Sequence, residues 1–132
     1  MNRRDHILIG IAFSLPFILL QYYFGFLGIT QEQIVRQGVY YLGASIFGSV
    51  TPDVMEPATD YKHRKAFHQK GLLKALLIPI AIYGVASFTY LSYLASYVFY
   101  FVLGYWLHLI ADSRTKMGLP SNLKIYKLLK KF

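Results

Sequence analysis

His108 and Asp112 stand four residues apart in the stretch GYWLHLIADSRTKMG, residues 104–118. On a helix this spacing puts an imidazole and a carboxylate on one face, one turn apart. The surrounding residues are strongly apolar, where such groups are costly unless they hold each other, a ligand or a metal. Similar chemistry recurs elsewhere in the chain: His6 precedes the first apolar run, Asp53 follows Pro52, and Glu56, His63, Arg64 and His68 fall within the next sixteen positions. Imidazoles and carboxylates drawn from separate segments are the donors of a nitrogen and oxygen metal site, in which the fold supplies the geometry. With no cysteine in the chain, thiolate metal sites, cysteine nucleophiles and disulfides are excluded.

The elements that must position these residues follow from composition. The 132 residues are 55% hydrophobic and 15% charged, against about 25% charged in average soluble domains, so a single membrane-embedded, all-α domain is expected. Four spans are predicted, at about 7–29, 31–50, 72–91 and 93–111, each close to the roughly 20 residues a spanning helix needs. The first run is too long for a secretory signal and lacks a small-x-small cleavage site. Thr30 and Gln33 resemble a capping box opening the second helix, and Pro52 and Pro57 are expected to stop it. Residues 51–71 then form a polar loop, and Pro79 is expected to kink the third helix. Gly10 and Ser14, and Ala44 and Gly48 with Ser45 and Ser49, place small residues at four-residue spacing, as close helix packing in a membrane requires. Residues 121–132 alternate Lys124, Lys127, Lys130 and Lys131 with Ile125, Leu128, Leu129 and Phe132, the pattern of a basic amphipathic helix lying on a membrane surface.

The net charge of +8 is informative through its distribution. With four spans, every Lys and Arg except Arg36 falls on or beside one face of the membrane, which the positive-inside rule makes cytoplasmic. An inner-membrane protein with both termini in the cytoplasm is expected. Tyr22, Tyr23, Tyr90, Tyr93, Tyr97 and Tyr100 gather toward the other interface, as an aromatic belt does. All four histidines sort to the cytoplasmic ends of the helices or the polar loop, together with Asp53, Glu56 and Asp112. A metal site is the sharp explanation; the plain one is that each histidine is an interfacial or hydrogen-bonded residue and that Asp112 pairs with Arg114 or caps a loop. Nucleic-acid binding is not expected, since the basic residues lie against the bilayer without a recognition motif. Transport is disfavoured because no ionisable residue falls mid-membrane.

The ordered set resembles the YdjM-type membrane-bound metal-dependent hydrolases, themselves similar at the motif level to zinc-dependent phospholipase C. It comprises His6, Pro52-Asp53, His63-Arg64 with His68, Gly104-Tyr105, His108, Asp112, Thr115 and Gly118. Three departures stand out. Met55 occupies a position where the family has a second acid, with Glu56 one step on; Lys65-Ala66-Phe67 replaces Gly-Phe-Thr between the loop histidines; and Ser113-Arg114 adds a cation beside the Asp112 carboxylate. The resemblance implies a divalent metal, zinc, held by His6, Asp53, His63, His68, His108 and Asp112. It further implies hydrolysis of a phosphoester or lipid headgroup by activated water. Asp53, Glu56 and Arg64 are the catalytic candidates, with Glu56 as general base and Arg64 offsetting phosphate charge. Membrane lipids and a phosphoester substrate are the expected partners. The rival expectation is a non-enzymatic membrane protein whose His/Asp cluster is a structural metal site or a hydrogen-bonded plug between helices.

Overall fold

In hydrocarbon every backbone N–H and C=O must be satisfied within the protein, and long apolar runs achieve this as helices. The computed structural model describes residues 3–23, 31–55, 70–89 and 93–114, and 98% of them are helical. The fold is all-α, and among the described residues there is no strand. Five helical pieces form four columns: α1 (Arg3–Tyr23), α2 (Gln31–Met55), α3 (Lys70–Ala75) continued by α4 (Leu77–Thr89), and α5 (Tyr93–Ser113). Three stretches are long and apolar enough to cross a membrane: Arg3–Tyr23, Lys70–Ser87 and Leu94–Ser113. At 25 residues α2 is long enough, but its glutamines, serines and charged residues dilute its apolarity. It packs against α1 and α5, while α5 is the column that each of the others contacts. The proposed surface helix at 121–132 lies outside the described residues.

One boundary differs from expectation, at a proline. Pro52 does not stop α2, which runs on to Met55 with Pro52 inside it. Its ring nitrogen has no hydrogen to give the Gly48 carbonyl, yet the helix continues for three residues with Pro52 fully buried. Asp53 therefore sits on a helix and not in a loop. At Pro79 the column is interrupted but continuous, with one turn residue, Leu76, between α3 and α4. The Pro79 ring opposes the carbonyl of Ala75, four residues earlier, and Ala75 is where α3 ends. A turn at Leu76 follows, bridged by Leu76 N–H to the Leu72 carbonyl at 2.9 Å and Ile80 N–H to the Leu76 carbonyl at 3.1 Å.

The side-chain distribution is that of a bundle in lipid, with small and polar residues inside and large apolar ones outside. On α1 the buried positions are His6, Gly10, Ser14, Ile18 and Gln21, a single stripe at helical spacing, while Leu8, Phe13, Leu19 and Leu20 are exposed. Ser14 Oγ donates to Ser45 Oγ at 2.6 Å, and Ser45 Oγ lies 3.2 Å from the Gly10 carbonyl. Further along, Gln21 ties three helices: its amide donates to Ser87 Oγ, which bonds Ser96 Oγ at 2.8 Å, and its carbonyl oxygen accepts from Tyr100 at 2.8 Å. Tyr100 is thus a core residue stacked on Tyr41, and Tyr97 donates to Gln37 at 2.8 Å. These two tyrosines pack between helices instead of forming an interfacial belt, whereas Tyr22 and Tyr23 are exposed.

The tightest packing joins α2 to α5. A Cβ placed on Gly48 would run into the Phe101 carbonyl, and one on Gly104 into the Ser45 carbonyl. The two backbones therefore touch, as small residues permit. Gly104→Ala is expected to lower the midpoint of thermal unfolding in detergent, at an overpacking cost of about 1–3 kcal/mol. Gly43→Ala, where an added Cβ meets nothing within 4 Å, should leave the midpoint unchanged or raise it. Equal midpoints for the two variants would refute a limiting contact at Gly104.

Candidate metal centre

The site is assembled one turn beyond the Gly104 contact. His108 follows Gly104 by four residues and Ser49 follows Ser45 by four, so the close approach of α5 to α2 continues into a contact between His108 and the Ser49 backbone. His108 Nδ1 lies 2.6 Å from the Ser49 carbonyl. A carbonyl can only accept, so Nδ1 carries the proton and Nε2 is the ring's ligating position. That nitrogen faces two carboxylates, Asp112 Oδ2 at 3.3 Å on its own helix and Asp53 Oδ1 at 3.5 Å from the last turn of α2. Both distances exceed the 2.7–3.2 Å of a good hydrogen bond.

His6 completes the group from α1. Its Nε2 lies 3.4 Å from Asp112 Oδ1, and its ring stacks on that of His108 with centroids 3.8 Å apart. His6 Nδ1 is buried and has no hydrogen-bond partner among the described residues. The relative exposures are 2% for His6, 1% for His108 and 0% for Asp112. The side chain of Asp53, at 21%, is the member of the group that reaches toward the outside.

A buried carboxylate between two imidazoles, with donor atoms spaced beyond hydrogen-bonding distance, suits a cation placed among them. His6, His108 and Asp112 each offer a ligand atom, and all three atoms lie within 4.8 Å of one another. Ligands about 2.0–2.1 Å from a tetrahedral ion stand roughly 3.3 Å apart; His6 Nε2 and His108 Nε2 each lie near that distance from one Asp112 oxygen, Oδ1 and Oδ2 respectively. This buried group can hold a metal ion. A set of three protein ligands also leaves room for a further one, the arrangement of catalytic metal sites.

Of the candidates named from sequence, the structure brings His6, Asp53, His108 and Asp112 together from α1, α2 and α5. Glu56, His63, Arg64 and His68 lie outside the described residues. Sequence reasoning missed the Ser49 carbonyl, which fixes the His108 ring, and the packing role of Gly104. Backbone acceptors leave no signature in a sequence, although Gly104, four residues before a histidine on an otherwise bulky helix, was a signal for close approach. Compared with known protein families, curated proteins and solved structures, the chain matches none.

Elemental analysis of the purified protein provides the direct test. His108→Ala and Asp112→Ala are each expected to lose a divalent ion that the parent retains, while Ser113→Ala, an exposed neighbour whose hydroxyl bonds the Ile110 carbonyl, keeps it. Retention of the ion by Asp112→Ala would remove that residue from the ligand set.

Proposed function

We propose that the protein is a membrane-bound metal-dependent hydrolase that cleaves a phosphoester at the cytoplasmic face of the inner membrane, with zinc held by His6, His108 and Asp112. The observation that carries this reading is the orientation of His108: its Nδ1–H is committed to the Ser49 carbonyl, and its Nε2 faces Asp112 and Asp53. The resemblance to the YdjM-type hydrolases supports it through the same residues. When bound, zinc lowers the pKa of water to about 7 and polarises a phosphoryl oxygen.

The chain's own residues have separable tasks in this reaction. Ser49 holds the His108 imidazole in orientation, as the carbonyl partner of a ligating histidine does. Asp53 stands at the rim, the only one of the four with appreciable side-chain exposure, and accepts the proton of the attacking water. Arg64, with Arg114 at the end of α5, offsets the charge of the phosphate. Glu56 is a second proton acceptor on the segment following α2, and His63 and His68 are further ligands from the same segment. The phosphorus forms its new bond to the water oxygen as the bond to the leaving alcohol breaks, and the alcohol oxygen takes up a proton.

One observation favours a different reading. His6, His108 and Asp112 are almost wholly buried, as a structural metal site or packing plug would be. The two readings part at Asp53. A proton acceptor contributes roughly 10²–10⁴-fold to rate, so Asp53→Asn is expected to retain its metal and its unfolding midpoint while hydrolysis of a chromogenic phosphodiester falls at least a hundredfold. Metal-loaded parent protein with no turnover of phosphodiesters or phospholipids, alongside a large drop in stability on His108→Ala, would establish the structural reading instead.

A further inference from the structure

Beside the His/Asp group a cleft of about 550 Å³ runs between α1, α4 and α5. Its walls include Ile9, Phe13 and Phe17 of α1 and Leu103 and Trp106 of α5, and among the described residues the one charged residue lining it is Arg114. The cleft adjoins the site at that end. Ile9 is one turn from His6, and Ala111, which also lines the cleft, immediately precedes Asp112. The Trp106 ring is held in place by its Nε1–H, which donates to the Leu73 carbonyl at 3.0 Å. Phe13 and Leu77 on the rim are about half exposed, so the cleft is open along its side to whatever surrounds the bundle.

Its dimensions and charge select an occupant. From Leu103 to Arg114 α5 rises about 16 Å at 1.5 Å per residue, close to half of the roughly 30 Å hydrocarbon core, or one leaflet. The volume lies within the roughly 300–1,000 Å³ of ligand sites. An apolar trough one leaflet deep, ending in a guanidinium, complements a hydrocarbon chain that ends in an anion. Guanidinium is also the side chain that best matches a phosphate diester, through paired N–H donors.

We propose that this cleft binds one acyl chain of a membrane phospholipid, with Arg114 on its phosphate, so that the phosphoester reaches the His/Asp site from the bilayer and not from water. The fate of the lipid rests on the hydrolase reading above; the binding does not. Lateral entry explains why the site lies at the end of an apolar trough while its three central residues are shielded from solvent.

Trp106 is the chain's only tryptophan and lines the cleft, so its fluorescence reports the occupant directly. The full-length protein in detergent micelles would be titrated with phosphatidylglycerol carrying brominated acyl chains, and in parallel with brominated diacylglycerol, which lacks the phosphate. The expected result is quenching that saturates with phosphatidylglycerol near one lipid per protein, with half-saturation shifted about tenfold in Arg114→Gln, as loss of one charge-assisted contact implies. The diacylglycerol curve should be weaker and unaffected by that substitution. Quenching that grows in proportion to the lipid fraction without saturating, or that is identical for the two lipids, overturns the proposal. Hydrolysis separates the two readings: saturable quenching without turnover of any phosphoester upholds the cleft and removes the hydrolase, while turnover of a water-soluble phosphodiester without saturable quenching does the reverse.

Discussion

The contact between the α2 and α5 backbones at Gly48 and Gly104 is the constraint on which the rest of the structure depends. At both glycines the space for a side chain is taken by the opposing carbonyl. This proximity allows His108, one turn on, to reach the Ser49 carbonyl at 2.6 Å. Had the helices been spaced by ordinary side chains, about 8–10 Å between axes, the imidazole would lack that anchor. The ring's orientation, and with it the direction of Nε2, is thus set by two residues that have no chemistry of their own.

The bundle divides its polar interior into two parts with different character. At the far end, Gln21, Ser87, Ser96 and Tyr100 satisfy one another in a closed hydrogen-bonded set, which stabilises the association of α1, α4 and α5. Ser14 and Ser45 do the same for α1 and α2. At the other end, His6, Asp112 and His108 converge at 3.3–3.4 Å with a buried His6 nitrogen that no described residue satisfies. A polar network in low dielectric stabilises when complete and is expensive when partial. The second end is where a metal ion could be held.

Much of the architecture was legible in the sequence because the apolar runs are long. The His108–Asp112 pair followed from four-residue spacing on one of them, and α5, by extending to Ser113, keeps both on one helical face. Pro52 was harder to read. Proline marks a helix end in water, but a buried proline in a packed last turn does not, and the difference lies in tertiary contacts absent from local sequence. The same limit applied to Tyr97 and Tyr100, whose spacing suited an interfacial belt but whose hydroxyls are drawn inward by Gln37 and Gln21. The fold brings His6, Asp53, His108 and Asp112 together; their chemistry is a separate matter from their proximity.

The site also imposes an order on biogenesis. His6 is made roughly a hundred residues before His108 and Asp112, an interval of about 5–20 s at usual rates of synthesis. Until α5 enters the membrane, the α1 histidine has no carboxylate to meet and α2 has no partner for its Gly48 and Ser49 surface. A metal ion captured between α1 and α5 would therefore act as a clasp that closes only once α5 is in place. Proteins stalled or cut before α5 would carry no such clasp, and metal content would count the molecules in which α1 and α5 have met.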